Sequence, residues 1–169
     1  MDLSLRHIVE GSEDFEYASD LYDFSFPKKE QEKMDRILKI SESPLGDFSV
    51  ILEGDTRVGL LFYMKSRRLV YIYYLAIDPG YRGRGYGSRV LSMIEEMYPD
   101  CGFTLNSEAP DDMAENNEQR MERIAFYERN GFRDSGRRRT WDGVRYAQMV
   151  KGRVGRLELW LLFKRAYSL

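Results

Sequence analysis

The residues with the clearest chemical meaning are Arg82–Gly87, which read RGRGYG and contain three glycines and two arginines. They follow a hydrophobic run that ends at Asp78, and a helical pattern of apolar residues begins directly after them. Glycines directly before a helix allow several backbone N–H groups to converge on one point, where the helix dipole adds about half a positive charge. The pattern therefore predicts a binding site for a phosphate or pyrophosphate group at the start of this helix.

Two common phosphate-binding loops do not match this stretch. A P-loop requires a lysine before its serine or threonine, and no lysine follows Gly87. The dinucleotide fingerprint requires G-x-G-x-x-G within a strand–helix–strand unit, whereas the glycines here stand at positions 83, 85 and 87. A flexible, solvated turn is the remaining alternative. It is disfavoured because a glycine in the first turn of a helix costs about 1 kcal/mol relative to alanine.

The periodicity of the apolar residues predicts the strands and helices that hold this turn in place. Strands are predicted over residues 3–10, 47–53, 57–65, 68–78 and 101–108, with two more around the turn Asp142–Gly143. Helices are predicted over residues 12–26, 27–43, 84–98, 114–130 and 156–167. Ser12 is the candidate N-cap of the first helix. The order βααβββαβαββα predicts an α/β (α+β) fold, with a mixed, mostly antiparallel sheet flanked by helices.

Composition narrows the possible functions. The length of 169 residues suits one domain over residues 1–169. With one cysteine, Cys101, and one histidine, His7, the chain has no zinc-type spacing, and we expect no metal. The net charge of −2 argues against a nucleic-acid partner. Without a run of about 18 apolar residues or a signal peptide, we expect no membrane association and a cytoplasmic location.

A second stretch of sequence agrees with the first. Residues 125–132 read AFYERNGF, which places Tyr127 near the end of a predicted helix. The pattern Arg82-x-x-Gly85-x-Gly87, after a strand that ends in LAIDP, resembles motif A of the GNAT acetyltransferases. Residues 125–132 resemble motif B of the same family. The order of elements also matches, so the resemblance extends over nearly the whole chain and implies a GNAT-like fold.

The resemblance implies acetyl-CoA as co-substrate and suggests which residues bind it. Backbone amides in the glycine-rich turn would bind the pyrophosphate, and Arg89 would add positive potential. The preceding strand would separate from the next strand and pair its main chain with the pantetheine arm. An amide near Ile77 would polarise the acetyl carbonyl. The cofactor-binding residues implied in this way are Leu75, Ala76, Ile77, Arg82, Gly83, Arg84, Gly85, Tyr86, Gly87, Ser88, Asn116 and Arg120.

Asn116 and Arg120 are included because the chain departs from the family pattern at this point. The family often has an asparagine seven residues before the motif B tyrosine, where it contacts the coenzyme. In this chain that position is Arg120, and Asn116 lies one helical turn earlier. Either residue is a candidate for the missing contact.

The resemblance also implies a general acid, Tyr127, which would lie beside the thioester sulfur and protonate the departing thiolate. The alternative role of Tyr127 is packing beside Phe126. Glu108, at the end of the strand 101–108, is the candidate base. The alternatives are Glu115, a chain of water molecules, or a solvated loop carboxylate with no catalytic role at position 108.

The expected function is direct transfer of an acetyl group to a primary amine in a ternary complex, by a monomer or a homodimer. The acceptor is a small-molecule amine or an amine of a peptide or protein, and Tyr22, Phe24 and Phe26 either line its pocket or belong to the core. The alternative is a GNAT-like regulatory or interaction domain that binds acyl-CoA with little turnover. A nucleic-acid module built on residues 136–146 is disfavoured because the rest of the chain is not basic.

Overall fold

The computed structural model describes residues 2–169 and contains a seven-stranded sheet with helices packed on both faces. The strands are β1 (Leu3–His7), β2 (Gly46–Glu53), β3 (Thr56–Lys65), β4 (Leu69–Ile77), β5 (Gly102–Glu108), β6 (Arg133–Trp141) and β7 (Val144–Lys151). The helices are α1 (Glu13–Ser25), α2 (Met34–Ser41), α3 (Tyr86–Met97), α4 (Asn117–Arg129) and α5 (Arg156–Ala166). Their order confirms the predicted α/β fold with the sequence βααβββαβαββα.

The sheet has the strand order β1-β2-β3-β4-β5-β7-β6, and β4–β5 is its parallel pair. These two strands are paired over only three residues each, from Leu69↔Gly102 to Tyr71↔Thr104. Beyond this point β5 pairs with β7 as far as Glu108↔Tyr146, while β4 remains paired with β3. The strands therefore diverge and leave an opening between Ile72–Ile77 and Leu105–Glu108, which we call the β4–β5 gap.

The core has two layers because both faces of the sheet are covered. On one face, α1, α2 and α5 pack against side chains such as Phe48 and Phe62. On the other face, α3 and α4 pack against side chains such as Leu61 and Ile72. The central strands are consequently apolar on both sides, which is typical of strands that are covered by helices on both faces. The β4–β5 gap thus connects two differently built sides of the molecule.

Local sequence signals place the ends of several elements. The Ser12 hydroxyl accepts a hydrogen bond from the Phe15 N–H at 3.1 Å, which confirms the predicted N-cap of α1. The β6–β7 turn has positive φ at both Asp142 (48°) and Gly143 (77°), as a two-residue hairpin turn of type I′ requires. This confirms the hairpin that was predicted from the Asp-Gly pair.

The segment 27–43 differs from the single helix that the sequence predicts. A short 3-10 turn covers Lys28–Glu30, the backbone is extended at Lys33, and α2 begins only at Met34. Two tyrosines explain the interruption. The Tyr74 hydroxyl accepts a hydrogen bond from the Glu32 N–H at 2.8 Å, and the Tyr22 hydroxyl donates to the Glu32 carbonyl at 2.8 Å. Because these groups are bonded to other parts of the fold, they cannot form helical hydrogen bonds.

An ion-pair network on Asp14 connects β1, α1 and β3. Its carboxylate accepts hydrogen bonds from the Arg6 Nε at 2.7 Å and from the Arg57 Nε at 2.7 Å. Hydrogen bonding by Arg6, and then by Arg57, lowers the pKa of Asp14 to about 2, against the opposing effect of burial. The network therefore stabilises the fold above the ordinary carboxyl pKa, and this contribution is lost as the pH falls toward 2.

We expect Asp14→Asn to lower the free energy of unfolding by about 1–2 kcal/mol at pH 7, because two arginines lose a charged acceptor and both remain partly exposed. Urea unfolding at pH 7 and at pH 2 measures the effect, which should shrink at the lower pH. Asp20→Asn removes an exposed carboxylate from the same helix and is the matched control. An equal loss at both pH values would contradict the assignment to the Asp14 ion pairs.

Candidate active site

The glycine-rich turn forms an open, uncapped helix N-terminus. Gly83 and Gly85 have φ of +75° and +81°, and a Cβ built on either would meet no atom within 4 Å. Gly85 is the N-cap residue of α3 and provides no side-chain cap, and the first helical bond runs from the Arg89 N–H to the Gly85 carbonyl at 3.1 Å. The N–H groups of residues 86–88 therefore have no intrahelical acceptor and are free to bind an anion.

Gly87 has a different role from the two preceding glycines. It lies in the first turn of α3, and a Cβ at this position would stand 3.0 Å from Cζ of Phe126. The absence of a side chain lets the Phe126 ring of α4 pack directly on the start of α3. Packing at Gly87 therefore connects the glycine-rich turn to the helix that contains Tyr127.

The side chains around the turn are positioned by nearby groups. The Arg82 Nε donates to the Ile77 carbonyl at 3.0 Å, and the Arg84 guanidinium lies 5.3 Å from the centre of the Tyr81 ring. Arg89 pairs with Glu96 at 3.1 Å, so its charge is partly compensated. The buried Tyr86 donates its hydroxyl proton to Glu53, and Ser88 is half-buried in the same helical turn. Arg82 and Arg84 are the exposed cations beside the free amides.

The open edge of β4 ends shortly before this turn in the chain. The Asp78 N–H donates to the Val58 carbonyl of β3, and antiparallel strands alternate in the direction of their polar groups. The N–H and C=O groups of Ile77 and Leu75 therefore point into the β4–β5 gap, while those of Ala76 point to β3. An extra residue at Tyr73 forms a β-bulge near the closed end of the gap.

Tyr127 belongs to the core layer beneath α3 and α4, together with Ile72 of β4 and Leu105 of β5. Its ring is 8% exposed and packs against Phe126 and Phe132, with ring centroids at 5.1 and 5.7 Å. Its hydroxyl has no hydrogen-bond partner among residues 2–169, and it is not one of the polar atoms that are sealed from solvent. Burial raises the pKa of Tyr127 to about 12, and Arg123 acts in the opposite direction. The arrangement presents a fixed, neutral phenol with a free O–H group.

Glu108 is a buried carboxylate, 5% exposed, at the end of β5. Its Oε2 lies 2.8 Å from Nη2 of Arg120, and its Oε1 lies 3.6 Å from Nη1 of Arg123. The Asn116 amide approaches both carboxylate oxygens at 3.4–3.5 Å. Glu108 is thus surrounded by donors from α4 and from the loop before it.

The structure places the two candidates for the coenzyme contact, Asn116 and Arg120, beside Glu108. Arg120 also donates to the Asn116 side chain at 2.8 Å and to the Ala109 carbonyl at 3.1 Å, so all three of its nitrogens have acceptors. Glu115, the alternative base, is exposed, and no ion pair to it is formed by residues 2–169. A role in coenzyme binding for Asn116 or Arg120 stays a prediction.

Sequence reasoning missed Glu30, which lies close to Glu108. The Tyr146 hydroxyl donates to the Glu30 Oε1 at 3.2 Å, and the Glu108 carboxyl is near enough to raise the pKa of Glu30. Burial, followed by the Glu108 carboxyl, raises the pKa of Glu30 to about 7. No signal in the polar stretch KKEQEK distinguishes this glutamate, because its position depends on the interrupted helix before α2.

The three aromatic residues proposed for the acceptor pocket separate in the structure. Tyr22 is a core residue at 2% exposure, and Phe26 packs on the Tyr74 ring with centroids at 4.7 Å. Phe24 is 71% exposed on the outer face of α1. Tyr22 and Phe26 therefore support the segment that contains Glu30, and Phe24 lies away from it.

These features fit acetyl-CoA. The free amides at α3 and the two exposed arginines suit a pyrophosphate, and the open edge of β4 suits the amides of a pantetheine arm. The Ser107 hydroxyl in β5 is buried at 3% residue exposure and has no hydrogen-bond partner among the described residues. A buried hydroxyl without a partner costs free energy, and the hydroxyls of Ser19 and Ser25 in α1 are unpartnered in the same way.

Comparison with known families decides the identity. Residues 15–132 match the family described as the acetyltransferase (GNAT) family, which is more than half of the chain. This chain belongs to the GNAT acetyltransferases. The matched range contains the glycine-rich turn, the β4–β5 gap and the FYERNGF stretch, as the resemblance implied.

Solved GNAT structures share the fold at low sequence identity. A GNAT-family protein from Bacteroides thetaiotaomicron is 21% identical, with coverage of 95% of this chain and 94% of that chain and a TM-score of 0.76. Naa50 from Arabidopsis thaliana, bound to the bisubstrate analogue CoA-Ac-MVNAL, is 19% identical, with coverage of 90% and 100% and a TM-score of 0.67. An aminoglycoside 6'-N-acetyltransferase complexed with coenzyme A is 16% identical, with coverage of 92% and 99% and a TM-score of 0.65.

Three further findings do not narrow the function of this GNAT chain. No curated protein sequence matched it. Within residues 2–169, no three histidine, cysteine, aspartate or glutamate side chains are grouped as metal ligands would be. None of the helices in the same range is both long and apolar enough to cross a membrane.

Proposed function

We propose that this GNAT protein transfers the acetyl group of acetyl-CoA directly to a primary amine in a ternary complex, with residues 1–169 acting as a single domain. The observation that supports this most strongly is the continuity of three features. The free amides of α3 adjoin the open edge of β4, and Tyr127, whose hydroxyl has no hydrogen-bond partner among residues 2–169, lies in one core layer with Ile72 of β4 and Leu105 of β5. A phosphate site, an extended polar edge and a free O–H group are what a CoA thioester requires along its length.

Acetyl-CoA binds with its pyrophosphate on the amides of Gly83–Ser88 and its pantetheine arm along Leu75 and Ile77. The arm thereby points toward the closed end of the gap, because β4 runs from Tyr71 at that end to Ile77 beside the phosphates. The acetyl carbonyl then lies nearer to the bulge at Tyr73 than to Ile77. A backbone N–H that faces the gap there stabilises the negative charge that develops on the carbonyl oxygen.

The amine acceptor reaches the acetyl carbon from the opposite face of the sheet, which is the face of α1, α2 and α5. The nitrogen forms a bond to the carbonyl carbon, the C–S bond breaks, and its electron pair leaves on sulfur. Tyr127 donates a hydrogen bond and then a proton to this thiolate. Because burial raises the pKa of Tyr127 to about 12, proton transfer to the thiolate of a thiol with an ordinary pKa is unfavourable. Burial of the coenzyme sulfur in the gap would raise the pKa of its thiol and reduce this difference.

Two acceptor classes are consistent with this geometry. The Naa50 complex contains a CoA conjugate of a peptide, and the aminoglycoside enzyme is named for acetylation of a small-molecule amine. A domain that binds acyl-CoA for regulation and turns it over slowly is the second candidate function. It is favoured by the many donors around Glu108, which leave that carboxylate little freedom to act as a base.

An assay of acetyl-CoA with a panel of amines tests the proposal. The panel contains polyamines, aminoglycosides, lysine peptides and peptides with free N-termini. We expect at least one amine to release CoA thiol in equal amounts with an acetylated product identified by mass spectrometry. Thiol release without acetylated amine would indicate hydrolysis, and tight acetyl-CoA binding without thiol release would support the regulatory alternative.

A further inference from the structure

The backbone of Glu30 is fixed at the β4–β5 gap by a tyrosine of β4. The Tyr74 hydroxyl donates to the Glu30 carbonyl at 2.7 Å and accepts from the Glu32 N–H at 2.8 Å. Tyr74 is 4% exposed and belongs to the core beneath α1 and α2. The segment that contains Glu30 is therefore attached to β4 and lies on the face from which the acceptor approaches.

The side chain of Glu30 is directed to the other side of the gap. Its Oε1 accepts a hydrogen bond from Tyr146 of β7, the residue paired with Glu108 of β5. The backbone of Glu30 thus contacts β4, while its carboxyl contacts the β5–β7 side. It bridges the opening at which the proposed amine and acetyl group meet.

The two carboxyl groups at this position have unequal surroundings. Arg120 is bonded to one oxygen of Glu108, Arg123 approaches the other, and the Asn116 amide approaches both. Glu30 has no ion pair with any residue from 2 to 169; its carboxyl accepts a hydrogen bond from the Tyr146 hydroxyl, and the Glu108 carboxyl is a neighbouring like charge. Glu30 therefore has a free lone pair for an incoming proton, whereas both oxygens of Glu108 have cationic or amide donors beside them.

We propose that Glu30 accepts the proton from the amine substrate, and that Glu108, anchored by Arg120, is a positioning residue for Glu30. This inference rests on the proposed acetyl transfer and changes its base from Glu108 to Glu30. It also defines the acceptor as an amine that arrives as a primary ammonium ion, which the Glu30 carboxylate attracts and then deprotonates.

The protons balance in the following way. The ammonium R–NH3⁺ gives one proton to the Glu30 carboxylate and becomes the nucleophile R–NH2. Formation of the N–C bond and cleavage of the C–S bond release a second proton from nitrogen. This second proton replaces the one that Tyr127 gives to the thiolate, so the products are the acetamide, CoA thiol and one proton that Glu30 returns to solvent.

The charged and titratable groups around Glu30 are consistent with this role. They are Glu108 of β5, Tyr146 of β7, and Arg120 and Arg123 of α4, with Tyr74 of β4 against its backbone. The pKa of Glu30, about 7 through burial and the neighbouring Glu108 carboxyl, leaves it about half ionised at neutral pH, so its carboxylate form is available and binds a proton readily. A general base is most effective when its pKa is near the working pH.

The pH dependence of kcat/KM in Glu30→Gln and Glu108→Gln tests the inference with an amine that the wild type acetylates. The wild type should lose activity below about pH 7. Glu30→Gln should lower kcat/KM about 100-fold at pH 7 and move the inflection to the pKa of the free amine, because only neutral amine then reacts. Glu108→Gln should keep the acid limb and move it to lower pH, because it removes the like charge beside Glu30. Acetyl-CoA affinity should stay unchanged in Glu30→Gln.

The results separate this inference from the proposed function. A wild-type pH–rate profile in Glu30→Gln would overturn the role of Glu30. Loss of the acid limb in Glu108→Gln but not in Glu30→Gln would also overturn it. Either result would leave acetyl transfer intact. Acetylation of no amine by the wild type would overturn both.

Thermal unfolding between pH 5 and pH 8 tests the raised pKa of Glu30 without an activity assay. The folded protein disfavours ionised Glu30, so wild-type stability should fall as the pH rises from about 4.5 to about 7. The Tm of Glu30→Gln relative to the wild type should therefore increase over this range. Glu122→Gln, an exposed control on α4, should show a constant difference. A constant difference for Glu30→Gln as well would contradict the raised pKa of Glu30.

Discussion

Gly85→Asp should weaken acetyl-CoA binding by about 10²–10³-fold while the fold is retained. At about 4 Å, a carboxylate and a phosphate repel each other by roughly 4 kcal/mol at the effective dielectric constant of a protein surface, and each 1.4 kcal/mol is a factor of ten. The side chain would project into open space, and aspartate tolerates positive φ better than most residues. Isothermal titration calorimetry with acetyl-CoA measures the loss, and circular dichroism verifies the fold.

Gly11→Asp is a matched control for this prediction. Gly11 has φ of +82°, has open space around its Cβ position and lies just before α1, on the opposite face of the sheet from α3. The variant should bind acetyl-CoA as the wild type does. Gly85→Ala adds the backbone strain without the charge and should give a smaller loss. If folded Gly85→Asp bound acetyl-CoA with wild-type affinity, the pyrophosphate would not lie at the start of α3.

Tyr127→Phe should lower kcat about 100-fold with little change in acetyl-CoA affinity or stability. A general acid typically contributes about 10²–10⁴-fold, and we expect the lower end because solvent can protonate part of the released thiolate. Stability should change little because the hydroxyl has no hydrogen-bond partner among residues 2–169. Single-turnover measurements at saturating acetyl-CoA isolate the chemical step.

Tyr63→Phe should give the opposite pattern and is the control. Tyr63 is 3% exposed in the same core layer as Tyr127, and its hydroxyl is bonded to that of Tyr98 at 2.7 Å. Loss of this hydroxyl should lower stability by about 1 kcal/mol and leave kcat unchanged. A wild-type single-turnover rate in Tyr127→Phe would leave Tyr127 with a packing role only.

Much of the fold could be predicted from short-range patterns, because these elements are determined by their own sequence. Ser12 caps α1 through a bond three residues away, and the Asp142–Gly143 turn follows from the φ angles that its two residues tolerate. The turn before α3 was equally visible, since glycines at 83 and 85 allow positive φ directly before a helix. The GNAT resemblance agreed with the order of elements that the periodicity of the apolar residues had already indicated.

The parts that could not be predicted depend on contacts between distant segments. The helix predicted over 27–43 is interrupted because Tyr74, more than forty residues away, bonds to backbone groups of Glu30 and Glu32. The same contact brings Glu30 to Glu108 and gives the acceptor face its second carboxyl. Similarly, the sequence predicted that Arg120 would contact the coenzyme, whereas in the structure it binds Glu108. The sequence alone does not show which acceptor a long arginine side chain will reach.

A crystal structure of the protein with acetyl-CoA, or with a non-hydrolysable analogue of it, would show directly whether the coenzyme binds in the β4–β5 gap with its sulfur beside Tyr127. Pyrophosphate oxygens should lie on the amides of Gly83–Ser88, and the pantetheine arm should be bonded to Leu75 and Ile77. The thioester sulfur should lie within hydrogen-bonding distance of the Tyr127 hydroxyl, with Glu30 exposed to the acceptor side. A coenzyme bound elsewhere, with the β4–β5 gap empty, would contradict the proposed coenzyme site and the roles of Tyr127 and Glu30.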